Sequence, residues 1–455
     1  MAGLFALSIN SETYKGNFSE DLFWGTFYQQ HLGEDYSGLA IYNPENKEKI
    51  KIQVHQGLFR PAFNNHSEEF EGTEAIGYCG ESKEPYLIDS KSGKISICFS
   101  GNLINLEELI GKLKSFGHTF EREDDVEVIS KFLIRENGIV DGIKKMTAEI
   151  KGSYSLLVLT NGEIYAARSP DGHWPLVLAE KPGAVAIASD PSGFRNLDFK
   201  IFRDLETGEI ISLKKGGFKT ETKIPPKKIQ FCSFMWVYTA FPIAIFEKVP
   251  ASLVRKRLGA ALARRDIKKG FIPDIVIPVP DSGRYSAIGY HQEFCRQMNE
   301  GRIKKIPLYD ECLLKYAYAG RSYLPQSSLK RAIEADIKIL GSSESYQGLE
   351  VVVCDDSIVR GGQIKANLIP KLRVLGIKGI HFRVSNPELH SYCLWGKTTK
   401  KGELLASRFP TKKERVDYLK IESLEYTTIE DLIEAIGLPK EHLCIDCSLR
   451  EINFI

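Results

Sequence analysis

Hydrophobic positions change their rhythm along this chain. Up to about residue 220 they come in short alternating runs, the period-2 pattern of strands with one buried face. Residues 152–169, GSYSLLVLTNGEIYAARS, place two such runs around Asn161-Gly162, a dipeptide suited to closing a tight hairpin. Helical patterns interleave. In LINLEELIGKLKSFG, Leu106, Leu109 and Leu113 share one face of an amphipathic helix that Gly117 ends. Beyond the polar stretch KTETKIPPKKIQ the pattern differs. PDIVIPVPDSG and GLEVVVCDDS are near-continuous apolar runs followed by loops and helices, the signature of a parallel α/β sheet covered on both faces. With Pro225-Pro226 as the seam, two domains are expected, 1–226 and 227–455.

Composition narrows the class without naming a function. At 43% apolar, 26% charged and a net charge of +2, the chain carries no nucleic-acid footprint and no acidic tail. The start, MAGLFALSIN, lacks the basic region and apolar length of a signal peptide. The longest apolar run, Phe234 to Phe246, contains Pro242 and falls short of the roughly 18 residues a membrane helix needs. A cytoplasmic protein is expected. Its nine cysteines then point away from a disulfide framework and toward metal ligation.

The richest stretch is VVVCDDSIVRGGQIKANLI, Val351 to Ile369. Leu349 to Cys354 reads as a central strand, and Asp355 and Asp356 fall where it leaves the sheet, the edge at which open α/β sheets bind ligands. The following turn leads into a helix, whose free N–H groups suit a phosphate. Paired carboxylates beside such a cradle suit a group with hydroxyls, phosphate and a hard cation, for which a phosphorylated ribose fits. On spacing alone, a Rossmann-like loop with an acidic cap competes with this reading.

The order of parts resembles the glutamine phosphoribosylpyrophosphate amidotransferase family across nearly the whole chain. Val351–Ile369 resembles the ribose-phosphate signature of type I phosphoribosyltransferases. IPVPDSGRYSAIGY (277–290) resembles the pyrophosphate-side loop, YAGRSYLPQ (318–326) the closing loop, and the segment 238–264 the entry helix. QHLGEDYSGLA, SGNLINLEEL and AARSPDGHWPLVL resemble a class II glutaminase. The resemblance implies an N-terminal αββα domain of the Ntn type, then a type I phosphoribosyltransferase α/β domain with a C-terminal cluster-binding tail. It implies that Asp355 and Asp356 hold the ribose hydroxyls and, with Ser282, Mg2+. Ser357, Ile358, Val359, Arg360 and Gly361 would cradle the 5-phosphate. Asp281 would lie in the pyrophosphate loop, and Lys315, Arg321 and Lys338 would approach the leaving group. One departure stands out: where the family has two threonines, this chain has Gly362 and Gln363. Pro370 should also kink the helix that follows.

The glutaminase half departs further. Active relatives expose an N-terminal cysteine whose own amine serves as base; the second residue here is Ala2. The family's substrate-binding arginine aligns with Gly80, its oxyanion-hole asparagine with Ser100, and the arginine of its QHRG element with Leu32. A decayed glutaminase site on a retained fold is therefore expected. His31, Asp125 and Glu127 read as structural remnants, and Cys79 and Cys98 as inert buried thiols.

Cys444 and Cys447 form a Cys-x-x-Cys pair, which alone fits a redox motif or half a zinc site. The resemblance adds Cys232 and Cys393 at the positions of the iron–sulfur branch's other ligands, implying a [4Fe-4S] cluster, with tetrathiolate zinc as the alternative. Cys295, Cys312 and Cys354 remain as core thiols. The reaction implied is phosphoribosyl transfer from 5-phosphoribosyl 1-pyrophosphate to free ammonia or a delivered amine, related to purine biosynthesis, without glutamine hydrolysis. A nucleotide effector and a homodimer or homotetramer are implied partners. The alternatives are a silent paralogue that binds a nucleotide or a partner enzyme, and a transferase with another acceptor in specialised metabolism.

Overall fold

The computed structural model describes residues 2–64, 69–91, 93–315, 339–341, 344–396 and 402–450. The chain separates into two compact units, the first ending at Cys232. The polar stretch at Pro225-Pro226 is thus not where the first unit stops. Gln230 N–H donates to Asp171 O at 2.8 Å, and the Arg168 guanidinium lies over the Phe231 ring, so the chain stays attached past the prolines. Leu394, Trp395 and Gly396 also belong with the first unit: Asn102 Nδ2 donates to Leu394 O at 2.7 Å, and Trp395 stacks on His173.

The first unit contains a seven-stranded and a six-stranded antiparallel sheet. One core cluster joins the two sheets, with Leu4, Ala6 and Ile76 from one and Leu157, Leu159 and Leu213 from the other. A second cluster lies on the far side of the six-stranded sheet, where Leu109, Leu113, Ile129, Phe132 and Met146 come from three helices. The helix Phe18–Phe27 covers the seven-stranded sheet. The layers are therefore α, β, β, α, as expected. The hairpin around Asn161-Gly162 forms, with Leu159 opposite Ile164, and the helix Leu106–Ser115 buries Leu109 and Leu113.

The second unit is built on five parallel strands. In spatial order they are Leu308–Tyr309, Ile275–Pro278, Glu350–Asp355, Gly379–Val384 and Ser423–Tyr426. Val352 and Cys354 pack with the helices Ala251–Lys268 and Arg284–Asn299, while Val351 and Val353 pack with Leu368, Ile369 and Leu372 on the opposite face. Burial on both faces explains why the central strand is apolar at successive positions. Pro370 lies at the start of the helix Ile369–Val374, directly after a π-helical turn, Ile364–Leu368. Proline removes an N–H donor and crowds the preceding turn, and the widened turn absorbs that change instead of a break. No helix among the described residues is long and apolar enough to cross a membrane.

Candidate functional site

Numbered along the second unit, the strands lie in the order 2-1-3-4-5. The crossovers part between Ile275–Pro278 and Glu350–Asp355, which makes this pair the topological switch point. Ligands of open α/β sheets bind outside the carboxyl ends of strands at such a point. The loop after the first strand carries Asp281 and Ser282, and the third strand, Glu350–Asp355, runs into Asp356. Gly283 makes the close approach possible, because a Cβ there would lie 2.0 Å from Cys354 O.

The structure brings the expected magnesium-binding set together. Ser282 Oγ donates to Asp355 Oδ1 at 3.1 Å, Asp356 N–H donates to the same oxygen at 2.9 Å, and Ser357 Oγ donates to Asp356 Oδ2 at 2.5 Å. Asp355 and Asp356 are 7% and 5% exposed. Burial, and then the charge of Asp356, push the Asp355 carboxyl well above the usual range; burial also raises Asp356. Burial opposes ionisation of both carboxylates and Asp356 opposes that of Asp355, so the pair forms a site in want of a cation. Ser385 N–H and Asn386 N–H, at the end of the neighbouring strand, fix the backbone carbonyls of Asp355 (2.9 Å) and Asp356 (2.7 Å).

Other expected residues gather around this pair. Asp281 is half-exposed and pairs with Arg284 Nη2 at 3.2 Å and Lys315 Nζ at 3.9 Å, so Lys315 reaches the loop after the first strand. Ile358 is buried, and Gly361 takes a φ of +71°, a left-handed conformation that favours glycine. Arg360 turns its guanidinium to Glu403, with Nε 3.0 Å from Oε2. Gly362 and Gln363 are exposed, and Gln363 makes no side-chain cap. Arg321 and Lys338 lie outside the described residues.

Two residues here escaped sequence reasoning. Arg284 pairs with Glu311 (Nε to Oε1, 3.0 Å) as well as Asp281; its place directly after Ser282-Gly283 was the available signal. Arg255 is buried and donates to the carbonyls of Trp236, Tyr238 and Ala240, and its charge holds the Asp356 pKa below where burial alone would put it. Nothing in the local pattern marks it.

In the first unit, Ala2, Gly80 and Ser100 also come together. Ala2 N donates to Ser100 Oγ at 2.9 Å. A Cβ on Gly80 would lie 2.8 Å from Ala2 Cβ and 2.1 Å from the Tyr78 Oη, so the Tyr78 phenol occupies the direction a side chain there would take. A cavity of about 40 Å³ is lined by Ala2, Tyr78, Glu84, Ser100 and Asp125 among others. That is room for water-sized molecules, far below the 300–1,000 Å³ of ordinary ligand pockets. Glu84 is buried, and burial holds its carboxyl well above the usual range. Asp125 Oδ1 accepts Leu103 N–H at 2.9 Å. Glu127 accepts the N–H groups of Glu121, Arg122 and Glu123 at 2.7–3.1 Å, and His31 Nε2 lies 3.1 Å from Asp190 Oδ2. Leu32 is buried. Burial pushes the thiols of Cys79 and Cys98 up.

Of the four cysteines assigned to a cluster, Cys232 ends the first unit, and Cys393, Cys444 and Cys447 lie in the second. Within that unit, the backbone N–H groups of His390 and Ser391 donate to Cys447 O at 2.9 and 3.1 Å, and Ser233 Oγ donates to Cys444 O at 2.8 Å. Burial, then the nearby Cys393, push the Cys447 thiol up to about 12. Among the described residues, no three His, Cys, Asp or Glu side chains gather closely enough to hold a single metal ion.

Comparison with known proteins places these features. The family profile described as a glutamine amidotransferase domain matches residues 75–196. An amidophosphoribosyltransferase of Methanothermobacter thermautotrophicus is 32% identical, over 97% of this chain and 92% of the relative. One of Methanocaldococcus jannaschii is 30% identical, over 96% of each. The solved structure of the glutamine phosphoribosylpyrophosphate amidotransferase from B. subtilis, complexed with ADP and GMP, superposes with a TM-score of 0.85 at 26% identity, covering 99% of this chain and 96% of that one.

Proposed function

The chain belongs to the amidophosphoribosyltransferase family, and on that premise we propose that it transfers a phosphoribosyl group to free ammonia or a delivered amine without hydrolysing glutamine. The family places it among the phosphoribosyltransferases of purine biosynthesis, with an N-terminal Ntn-type glutaminase fold and a type I phosphoribosyltransferase domain. One observation carries the transferase reading: Ser282, Asp355 and Asp356 meet by hydrogen bonds at the sheet's switch point.

Their hard oxygen donors fit magnesium, which when bound supplies charge that stabilises a departing pyrophosphate. Asp355 and Asp356 would hold the ion and the ribose hydroxyls, and the backbone from Ser357 to Gly361 would cradle the 5-phosphate. Lys315, already drawn to Asp281, would face the leaving group. Ammonia, a nucleotide effector, and a homodimer or homotetramer belong to the same proposal and rest on family likeness.

Loss of glutamine hydrolysis is supported by the Ala2 methyl, the small cavity and the Tyr78 phenol beside Gly80. The test is incubation with phosphoribosyl pyrophosphate, magnesium and either ammonia or glutamine. Pyrophosphate release with ammonia and none with glutamine is expected; release with glutamine overturns the second half. A silent paralogue is favoured by exposed Gly362 and Gln363, which offer no side-chain hydroxyl to a phosphate. It takes over if the ligand binds and neither nitrogen source supports release.

An iron–sulfur cluster belongs to the same proposal and rests on family likeness. Cys444 and Cys447 supply a Cys-x-x-Cys pair of thiol donors, and Cys393 and Cys232 join them on the resemblance alone. Protein purified without oxygen should be brown, with iron and sulfide each at about four per chain. Zinc at about one per chain, without colour, would replace the cluster by a tetrathiolate site.

A further inference from the structure

We propose that Glu403 is a competing counter-ion for the phosphate turn, holding the Arg360 guanidinium so that a bound phosphate must displace it. This rests on the reading that Ser357–Gly361 receives a phosphate. The turn is covered by a strap that runs from Gly402 into the short helix Leu405–Arg408. Leu405 N–H donates to Val359 O at 2.8 Å. Leu404 and Leu405 are buried, and a Cβ on Gly361 would lie 3.1 Å from Leu405 Cδ1 and 3.2 Å from Leu419 Cδ2. The strap is thus anchored by a backbone hydrogen bond and two leucines in the core.

The Arg360–Glu403 pair sits on the same strap, but both side chains are more than a third exposed. An exposed ion pair adds little to stability compared with burial of two leucines. Its consequence therefore falls on Arg360. The one guanidinium within the turn is paired with a carboxylate two residues before Leu405, and until that pair opens the turn offers an incoming anion its backbone donors and a Ser357 hydroxyl already engaged by Asp356. Charge-assisted contacts between arginine and phosphate are strong and directional, so exchanging Glu403 for phosphate is a direct trade of one anion for another. The arrangement weakens the hold on any phosphorylated sugar and speeds its release. The exposed Gly362-Gln363 pair, which supplies no hydroxyl, makes the contribution of Arg360 more decisive.

The experiment is calorimetric titration of the full chain with ribose 5-phosphate and with ribose, in the parent, Glu403→Gln, Arg360→Gln and the double variant. Glu403→Gln should bind ribose 5-phosphate about three- to tenfold more tightly at low salt. The gain should vanish in the Arg360→Gln background and shrink at high salt. Equal or weaker binding by Glu403→Gln, while the parent still prefers the phosphorylated sugar, overturns the proposal and leaves the transferase reading intact. A parent that binds ribose 5-phosphate no better than ribose overturns the phosphate assignment of the turn itself, and the proposal falls with it.

Discussion

The two units each bury carboxylates near the place where chemistry is expected, but they satisfy them differently. In the first unit, Glu127 is 1% exposed and takes N–H donors from three successive residues. Burial alone would raise its pKa, yet these donors and Lys131 bring it below the usual range. In the second unit, Asp355 and Asp356 are almost as buried, but their side-chain oxygens meet two serine hydroxyls and one amide, and the charge of Asp356 adds to burial in opposing ionisation of Asp355. A carboxylate saturated by its own backbone is part of the architecture. A pair left short of positive charge is poised for a ligand. Burial does not separate the two cases; the identity of the partners does.

The sharpest way to break this contrast is at the aspartates. Asp355→Asn or Asp356→Asn should weaken magnesium-dependent binding of phosphoribosyl pyrophosphate by about a hundredfold or more, because each removes a charge opposite the cation. Without magnesium the same variants should melt no lower than the parent, since each replaces a buried ionisable group by a neutral one of the same shape. Unchanged affinity in both, by calorimetry, would reduce the pair to a structural strand end.

Glu127→Gln should do the reverse. It should leave ligand binding alone and lower stability by about 2–3 kcal/mol, the value of hydrogen bonds to a charged group, read by denaturant unfolding. Because its folded pKa is depressed, Glu127 contributes fully above its ordinary value of 4.5. That contribution is lost as pH falls below it, so the difference between variant and parent should close in acid. A difference that persists there would mean that packing, not charge, is the cause.

The same contrast bears on what could be read from sequence. The strand Glu350–Asp355, its double-sided burial and the loop with Ser282 were legible because each is a local pattern. So were the hairpin at Asn161-Gly162 and the helix at Leu106. Partners distant in sequence left no such trace. Arg383 forms a buried pair with Asp266 (Nη2 to Oδ1, 3.0 Å), and Tyr290 Oη donates to Asp266 Oδ2 at 2.6 Å; the three tie a strand to two helices. Glu403 on Arg360 and Arg255 beneath Trp236 are of the same kind. Periodicity reports which face a residue occupies, not which charge meets it. At Pro370 the residue was legible, but the π turn Ile364–Leu368 that precedes it was not.

A smaller effect is expected at the phosphate turn. Replacing Gly362 and Gln363 by threonines returns two hydroxyls to exposed positions, and each hydrogen bond to a charged phosphate contributes about 1.5–3 kcal/mol when well formed. Since the positions are solvated and the helix begins in a π turn, about a tenfold gain in affinity is the expected outcome. Looser binding would point to a different phosphorylated sugar.

The smallest effect should come from Ala2→Cys. That change supplies a sulfur where the methyl of Ala2 lies buried, yet three neighbours argue against rescue. The Ala2 nitrogen already donates to Ser100 Oγ, and serine offers a shorter reach than the asparagine that relatives use toward an oxyanion. The Tyr78 phenol fills the direction from Gly80, so no side chain there can grip a substrate carboxylate. The cavity, at about 40 Å³, admits water-sized molecules and not an amino acid. Loss of one oxyanion donor alone costs about a hundredfold or more in rate, and exclusion of the substrate acts on top of it. Glutamate release by Ala2→Cys should therefore match that of the parent in a coupled assay. Robust release would show that the first unit can open around glutamine, that the nucleophile was the only thing missing, and that its site is as ligand-ready as the aspartate pair of the second.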